Sequence, residues 1–166
     1  MLEGAVARLV PLTDDHLPTL RRIRATPEVR ARWGEPEGEE TSGDEAEDDV
    51  TCFAILVDGV VRGMVQYGEE DDPAYRHASI DIYVDPEVHG RGIGRDAVRT
   101  LARHLVHDRG HHRLVIDPAA DNAAAIRCYT AVGFRPVGVL RDYERDADGG
   151  GWHDGLLMDL LATELT

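Results

Sequence analysis

"VDPEVHGRGIGRDAV" (residues 84–98) is the stretch from which the rest of the chain is read. Gly90, Gly92 and Gly94 fall at every second position, just after an apolar run and just before a long helical pattern. Glycine lets a loop adopt conformations closed to other residues and keeps side chains from blocking approach. A helix start presents unpaired N–H groups and the positive end of its dipole. A glycine loop running into a helix is therefore suited to binding phosphate. The spacing Gly-x-Gly-x-Gly is neither the dinucleotide fingerprint nor a P-loop, which would continue with Lys-Ser/Thr. Close strand–helix packing produces the same glycines, so the loop by itself leaves both readings open.

The flanks supply context. Before the loop, "HASIDIYVD" (77–85) alternates, with Ala78, Ile80, Ile82 and Val84 on one side and Ser79, Asp81 and Tyr83 on the other. After it, Ile93, Ala97, Leu101 and Leu105 recur every four residues, which predicts a helix over roughly 92–108. "HRLVIDP" (112–118) reads as a buried strand closed by Pro118, and "DNAAAIRCYTAVG" (121–133) as a helix between Asp121 or Asn122 and Gly133. "FRPVGVLRDY" (134–143) and "WHDGLLMDLLA" (152–162) read as strands around a turn at 144–151.

Towards the N-terminus, "AVARLVPL" (5–12) reads as a strand. Helices follow at 13–24 and 26–34, the second with Pro27 at its start and Gly34 as its stop. Residues 50–68 form a hairpin about Asp58-Gly59. With neither repeats nor an interdomain linker, the 166 residues suit one domain over 1–166. Strands and helices mix without regular alternation, so the expected class is α+β rather than doubly wound, with helices on both faces of a mixed sheet.

Charge narrows the function. The net charge is −14, and all 18 basic residues are arginines. A nucleic-acid partner needs a basic surface, so the charge argues against one and none is expected. A negative field concentrates cations, which is compatible with a cationic substrate; solubility or salt adaptation produces the same composition. Nine of the fifteen residues of "EPEGEETSGDEAEDD" (35–49) are acidic and none is basic. That run is expected to be a mobile loop that draws polycations toward the acceptor site. No segment is apolar enough to span a bilayer, and residues 1–16 lack the basic start of a signal peptide. Cys52 and Cys128 form neither a disulfide framework nor a metal-like spacing, and no histidine pattern suggests a metal. A cytoplasmic protein, monomer or homodimer, is expected.

Taken together, the order strand, His89-Gly90-x-Gly92-x-Gly94, long helix, buried strand and Asn122-x2-Ala125-x3-Tyr129-x3-Gly133-Phe134 resembles the GCN5-related N-acetyltransferase (GNAT) superfamily over essentially the whole chain. The resemblance implies a mostly antiparallel sheet of six to seven strands, splayed in the middle. It also implies acetyl-CoA as cofactor. The pyrophosphate would be held by backbone along His89, Gly90, Arg91, Gly92, Ile93, Gly94 and Arg95, and the pantetheine arm would lie near Tyr83, Val84, Asn122 and Ala125. The family usually has Gln or Arg where this chain has His89, a change that a site built on backbone N–H groups tolerates.

Trp33-Gly34, "QYGEE" (66–70), "SIDIYV" (79–84), residues 117–134 and "GWHDGLLMDL" (151–160) are more specifically similar to aminoglycoside 6'-N-acetyltransferases. That similarity implies Asp81 as the base on the acceptor amine and Asp117 as the residue that orients it. Trp33, Glu69, Glu70 and Asp154 fall on the acceptor side by the same matches. An alkyl amine is protonated at neutral pH and must lose a proton before it attacks a thioester, and a carboxylate performs that role. Tyr129 would protonate the leaving thiolate. Backbone N–H near Tyr83–Val84 would polarise the carbonyl. No His and acid context activates Cys128, so direct transfer in a ternary complex is expected. Acetylation of a protein N-terminus or ribosomal protein, and a CoA-binding module without turnover, are the alternatives.

Overall fold

The computed structural model describes residues 1–35 and 50–166. The acidic run expected at 35–49 lies, apart from Glu35, outside the described residues. Two short strands open the chain, β1 (Leu2–Glu3) and β2 (Arg8–Pro11), followed by α1 (Leu17–Arg24) and α2 (Pro27–Trp33). Next come β3 (Val50–Val57), β4 (Val60–Glu70), β5 (His77–Val84) and α3 (Ile93–His107). The chain continues with β6 (Arg113–Ile116), α4 (Ala123–Val132), β7 (Arg135–Arg145) and β8 (Trp152–Leu161). The strands form one sheet in the order β1-β2-β3-β4-β5-β6-β8-β7. Every neighbouring pair is antiparallel except β5 and β6.

Local signals explain most boundaries. Asp58 and Gly59 take φ values of 50° and 77°, the positive pair that a two-residue hairpin requires, and Val57 pairs with Val60 across them. Gly133 stops α4 at φ 124° while its N–H bonds back to Tyr129. The α3 stripe is as the periodicity predicts: Ile93, Ala97, Leu101 and Leu105 are all buried.

The count of strands is a correction: eight among the described residues, rather than six to seven. The expected strand at 5–12 begins only at Arg8, and Leu2–Glu3 pair with it as a separate β1. The cause is distant in sequence. The Asp96 carboxylate on α3 accepts N–H bonds from Ala5, Val6 and Ala7 at 3.0, 2.8 and 2.8 Å, which turns that segment out of the ladder. In addition, a short 3-10 turn at Asp14–His16 precedes α1, where a continuous helix was expected.

Alternation along the strands sends apolar side chains to both faces. On one, Ile55, Val65, Ile80 and Leu114 pack with Leu101 and Leu105 of α3 and Val132 of α4. On the other, Met64 and Tyr83 meet Leu20, Ile23 and Val29 of α1 and α2. Asp81 shares the α1–α2 face with Tyr83, two residues along the same strand. None of the described helices is long and apolar enough to cross a membrane.

Candidate functional site

The site begins where the two parallel strands part. β5 and β6 pair only at Ala78–Leu114 and Ser79–Val115, while β6 stays paired with β8 on its other edge from Arg113 to Ile116. Beyond Asp117 the Pro118 carbonyl accepts from the Leu156 N–H at 2.8 Å and Ala119 bridges Gly155, so the chain continues along β8 rather than β5. The gap lets Tyr129, from the α3–α4 face, approach Asp81, from the other. A cleft of about 890 Å³ lies on one side, lined by Asp81, Asp117, Tyr143, Glu144, Asp146, Asp148 and His153 among others. A groove of about 580 Å³ lies on the other, lined by Val84, Gly90, Gly92, Gly94, Ala125 and Cys128 among others. Trp33, Ile82, Asn122 and Tyr129 border both.

The groove is built at a helix start. Gly90 and Gly92 hold φ values of 75° and 78°, and Gly92 is the N-cap of α3. The N–H of Asp96 is the first to bond back, to the Gly92 carbonyl at 3.0 Å, so the amides before it face outward. A Cβ at Gly90 would meet open space, and one at Gly94 would stand 3.7 Å from Val84 and 3.8 Å from Cys128. Bare backbone amides beside a groove of this size suit a phosphate with a slender apolar arm. The loop is also braced. The His89 Nε2–H donates to the Val84 carbonyl at 2.9 Å, and buried Asp85 accepts from the Glu87 N–H at 3.1 Å. Arg22 and Arg62 both reach Asp85 at 3.3 Å.

Asp81 opens into the cleft, yet protein crowds it, and burial pushes its pKa up to about 6. The neighbouring charges of Asp117 and then Glu144 add to the rise, against a hydrogen bond from the Gln66 amide. The Cys52 thiol donates to Gln66 Oε1 at 3.6 Å, which leaves the Gln66 NH2 for Asp81. A carboxylate with a pKa of about 6 is mostly ionised at neutral pH and still basic enough to accept a proton. Tyr129 is 8% exposed, and burial followed by the charges nearby raises its pKa, so it stays a phenol. The Tyr143 hydroxyl donates to Asp117 Oδ2 at 2.5 Å.

The expected residues fall into three groups. Asp81, Asp117 and Trp33 line the cleft, and Tyr129 stands at its junction with the groove. Tyr83, Val84, His89, Gly90, Gly92, Ile93, Gly94, Arg95, Asn122 and Ala125 line the groove. Asn122 also caps α4, its Oδ1 accepting from the Ala125 N–H at 3.2 Å.

Four residues are not brought to either. Arg91 is exposed on the loop, outside the groove lining. Glu69 points to the α3 face because it is one residue out of phase with Gln66 and Gly68. There it meets Arg109 at 2.7 Å and buried His111 at 2.6 Å. Glu70 accepts from the Asp72 N–H at 2.9 Å in its own turn. Asp154 accepts from the Asp142 N–H at 2.9 Å, on the β7–β8 ribbon.

Sequence reasoning missed Tyr143, Glu144, Asp146, Asp148 and His153 on the cleft wall. Residues 144–151 read as a plain turn, yet β7 runs on to Arg145. His153 lies 3.5 Å from Glu144 and 3.0 Å from Asp146. The alternation of acidic residues with Tyr143 was the available signal.

Known proteins share the sequence pattern and the fold. The family model described as Acetyltransferase (GNAT) family matches residues 17–134. Aminoglycoside N(6')-acetyltransferase type 1 of Klebsiella pneumoniae is 30% identical over 107 residues, 57% of this chain and 52% of that protein. The [ribosomal protein bS18]-alanine N-acetyltransferase of Escherichia coli K12 is 35% identical over 83 residues, 48% of this chain and 52% of that one. The chain thus spans about half the length of these curated relatives. Among solved structures, the aminoglycoside acetyltransferase AAC(6')-Ib in complex with coenzyme A superposes with a TM-score of 0.78 at 22% identity, covering 95% of this chain and 96% of that one. At that identity the likeness is one of fold.

Proposed function

We propose a function from one premise: the chain belongs to the acetyltransferase (GNAT) family. The reaction is transfer of an acetyl group from acetyl-CoA to a primary amine of a cationic small molecule of the aminoglycoside type, with the 6'-amine as the expected position. The observation that carries this reading is the carboxylate pair Asp81 and Asp117 in an acidic cleft that meets the glycine-loop groove at Tyr129.

Acetyl-CoA, when bound, supplies an activated thioester. In this reading the α3 amides from Ile93 onward hold its phosphates, and the groove beside Val84, Ala125 and Cys128 takes its arm. Asp117 receives an acceptor ammonium and orients the molecule. Asp81 takes the proton from the reacting nitrogen, which frees the lone pair for attack on the carbonyl carbon. Backbone N–H near Val84 steadies the charge that develops on the carbonyl oxygen. The new C–N bond would form as the C–S bond breaks; the Tyr129 hydroxyl would give its proton to the departing sulfur, and the second proton that the nitrogen loses would pass to solvent, from which Tyr129 is reprotonated.

The similarity to the bS18-alanine N-acetyltransferase favours a second reading, acetylation of a protein N-terminus. The acidic cleft weighs toward a small polycation, because a peptide chain brings one terminal ammonium only. The test is thiol release from acetyl-CoA by the purified chain with kanamycin, spermidine and an alanine-initiated peptide as acceptors. Fast turnover with kanamycin is expected. Turnover confined to the peptide would establish the second reading, and no turnover with any of them would overturn both.

A further inference from the structure

Tyr143 stands at the one place where the β7–β8 ladder slips inside the cleft wall. Leu140 pairs with Gly155 and Glu144 with His153. Between those pairs β7 holds Arg141, Asp142 and Tyr143, while β8 holds only Asp154. Extra residues of this kind bend a strand and re-aim its side chains.

Three further features shape the slip. Asp142 adopts φ 45°, a left-handed conformation unusual outside glycine. Its N–H is held by the Asp154 carboxylate at 2.9 Å. Gly155 provides the seat for the ring, since a Cβ there would stand 2.8 Å from Tyr143 Cδ1. The outcome is a phenol laid across bare backbone with its hydroxyl 2.5 Å from Asp117 Oδ2. Asp117 itself follows the end of β6; the Ile116–Met158 pair and the Leu156 N–H bond to the Pro118 carbonyl hold its backbone on either side, and the Tyr143 hydroxyl reaches its side chain.

We infer that Tyr143 is a positioning residue for the acceptor: its hydroxyl locks the Asp117 carboxylate in one orientation and leaves the other oxygen for an acceptor ammonium. The inference rests on reading the cleft as the acceptor site, and it assigns Asp142, Asp154 and Gly155 to a single device that aims the phenol. Tyr143 acts through Asp117 and takes no part in proton transfer at the reacting nitrogen. It sets how tightly the amine is held, and the donor groove does not sense it.

Steady-state kinetics on the full chain test this, with the best amine from the panel above and each substrate varied in turn. Tyr143→Phe removes one oxygen and should raise the acceptor KM about tenfold, the scale of one charge-assisted hydrogen bond. The KM for acetyl-CoA should stay within about twofold. Gly155→Ala, which displaces the ring, and Asp154→Ala, which releases the Asp142 N–H, should give the same split with the phenol still present. An unchanged acceptor KM in folded Tyr143→Phe overturns the inference, as does an equal rise in both KM values. Should Gly155→Ala fail to fold, Tyr143→Phe decides alone. No turnover by the unmodified chain would overturn the functional reading and this inference with it; normal turnover with unaltered variants overturns the inference alone.

Discussion

Asp81 and Asp117 occupy matching positions across the gap in the sheet: each lies two residues beyond Ser79 and Val115, the last pair that joins β5 to β6. Parallel strands that part after a register-matched pair present equivalent side chains to the same opening. The two carboxylates therefore sense one another, and the Asp117 charge contributes to the raised pKa of Asp81.

Asp81→Asn removes the proposed base and keeps its shape. kcat should fall by ~10²-fold or more, the usual scale for a positioned base. CoA affinity, measured by calorimetry, should be unchanged because Asp81 is no part of the groove. Near-normal kcat would assign the proton to another group.

The pH profile follows from the same carboxylate. Asp81 has its pKa raised to about 6, so it is the protonated, inactive form that grows as pH falls below that value. Plotted against pH, kcat/KM should lose activity on the acid side with an apparent pKa of about 6. Asp117→Asn removes a like charge, so the acid limb should move to lower pH even as acceptor KM rises. A limb that stays in place would show that the titrating group is elsewhere.

Gly92→Val tests the loop. Gly92 sits at φ 78°, a region that a β-branched residue adopts only with strain. The amides at the start of α3 should lose their aim, and the CoA dissociation constant should rise at least about tenfold, or about 1.4 kcal/mol. Unchanged affinity in a folded variant would remove the groove from the mechanism.

Glu69 tests a reassignment. The hydrogen bond from Arg109 leads the causes that hold its pKa down to about 2. A depressed carboxylate contributes stability that is complete above its unfolded pKa of about 4.3 and lost as pH falls toward the folded value. Glu69→Gln should lower the melting temperature at pH 7, and the difference from the unmodified chain should shrink between about pH 4 and pH 2. kcat and both KM values should hold at pH 7. A selective rise in acceptor KM would return Glu69 to the acceptor site.

Much of the fold was legible because its signals are local. Asp58-Gly59 marks a hairpin, Gly133 a helix stop, and the four-residue recurrence from Ile93 a buried helix face. The β1–β2 break was not legible, because Asp96, some ninety residues on, supplies the hydrogen bonds that cause it. Glu69 shows the same limit at the site. Its neighbours match the right motif, but a one-residue difference in strand phase turns it from the cleft to the opposite face, against Arg109 and His111 in the α3–β6 connection.

By itself, the sequence determined most of the elements, the glycine loop at the start of α3 and the places of Asp81 within β5 and Asp117 just after β6, because backbone conformation and side-chain period depend on near neighbours. Only the tertiary structure decided which carboxylates share a cleft. β5 and β6 lie far apart in the chain, and their separation after Ser79–Val115 creates the opening that Asp81 and Asp117 face. The slip opposite Asp154 that aims Tyr143 at Asp117 belongs to the same class, since register between strands is settled by what both must bury and pair.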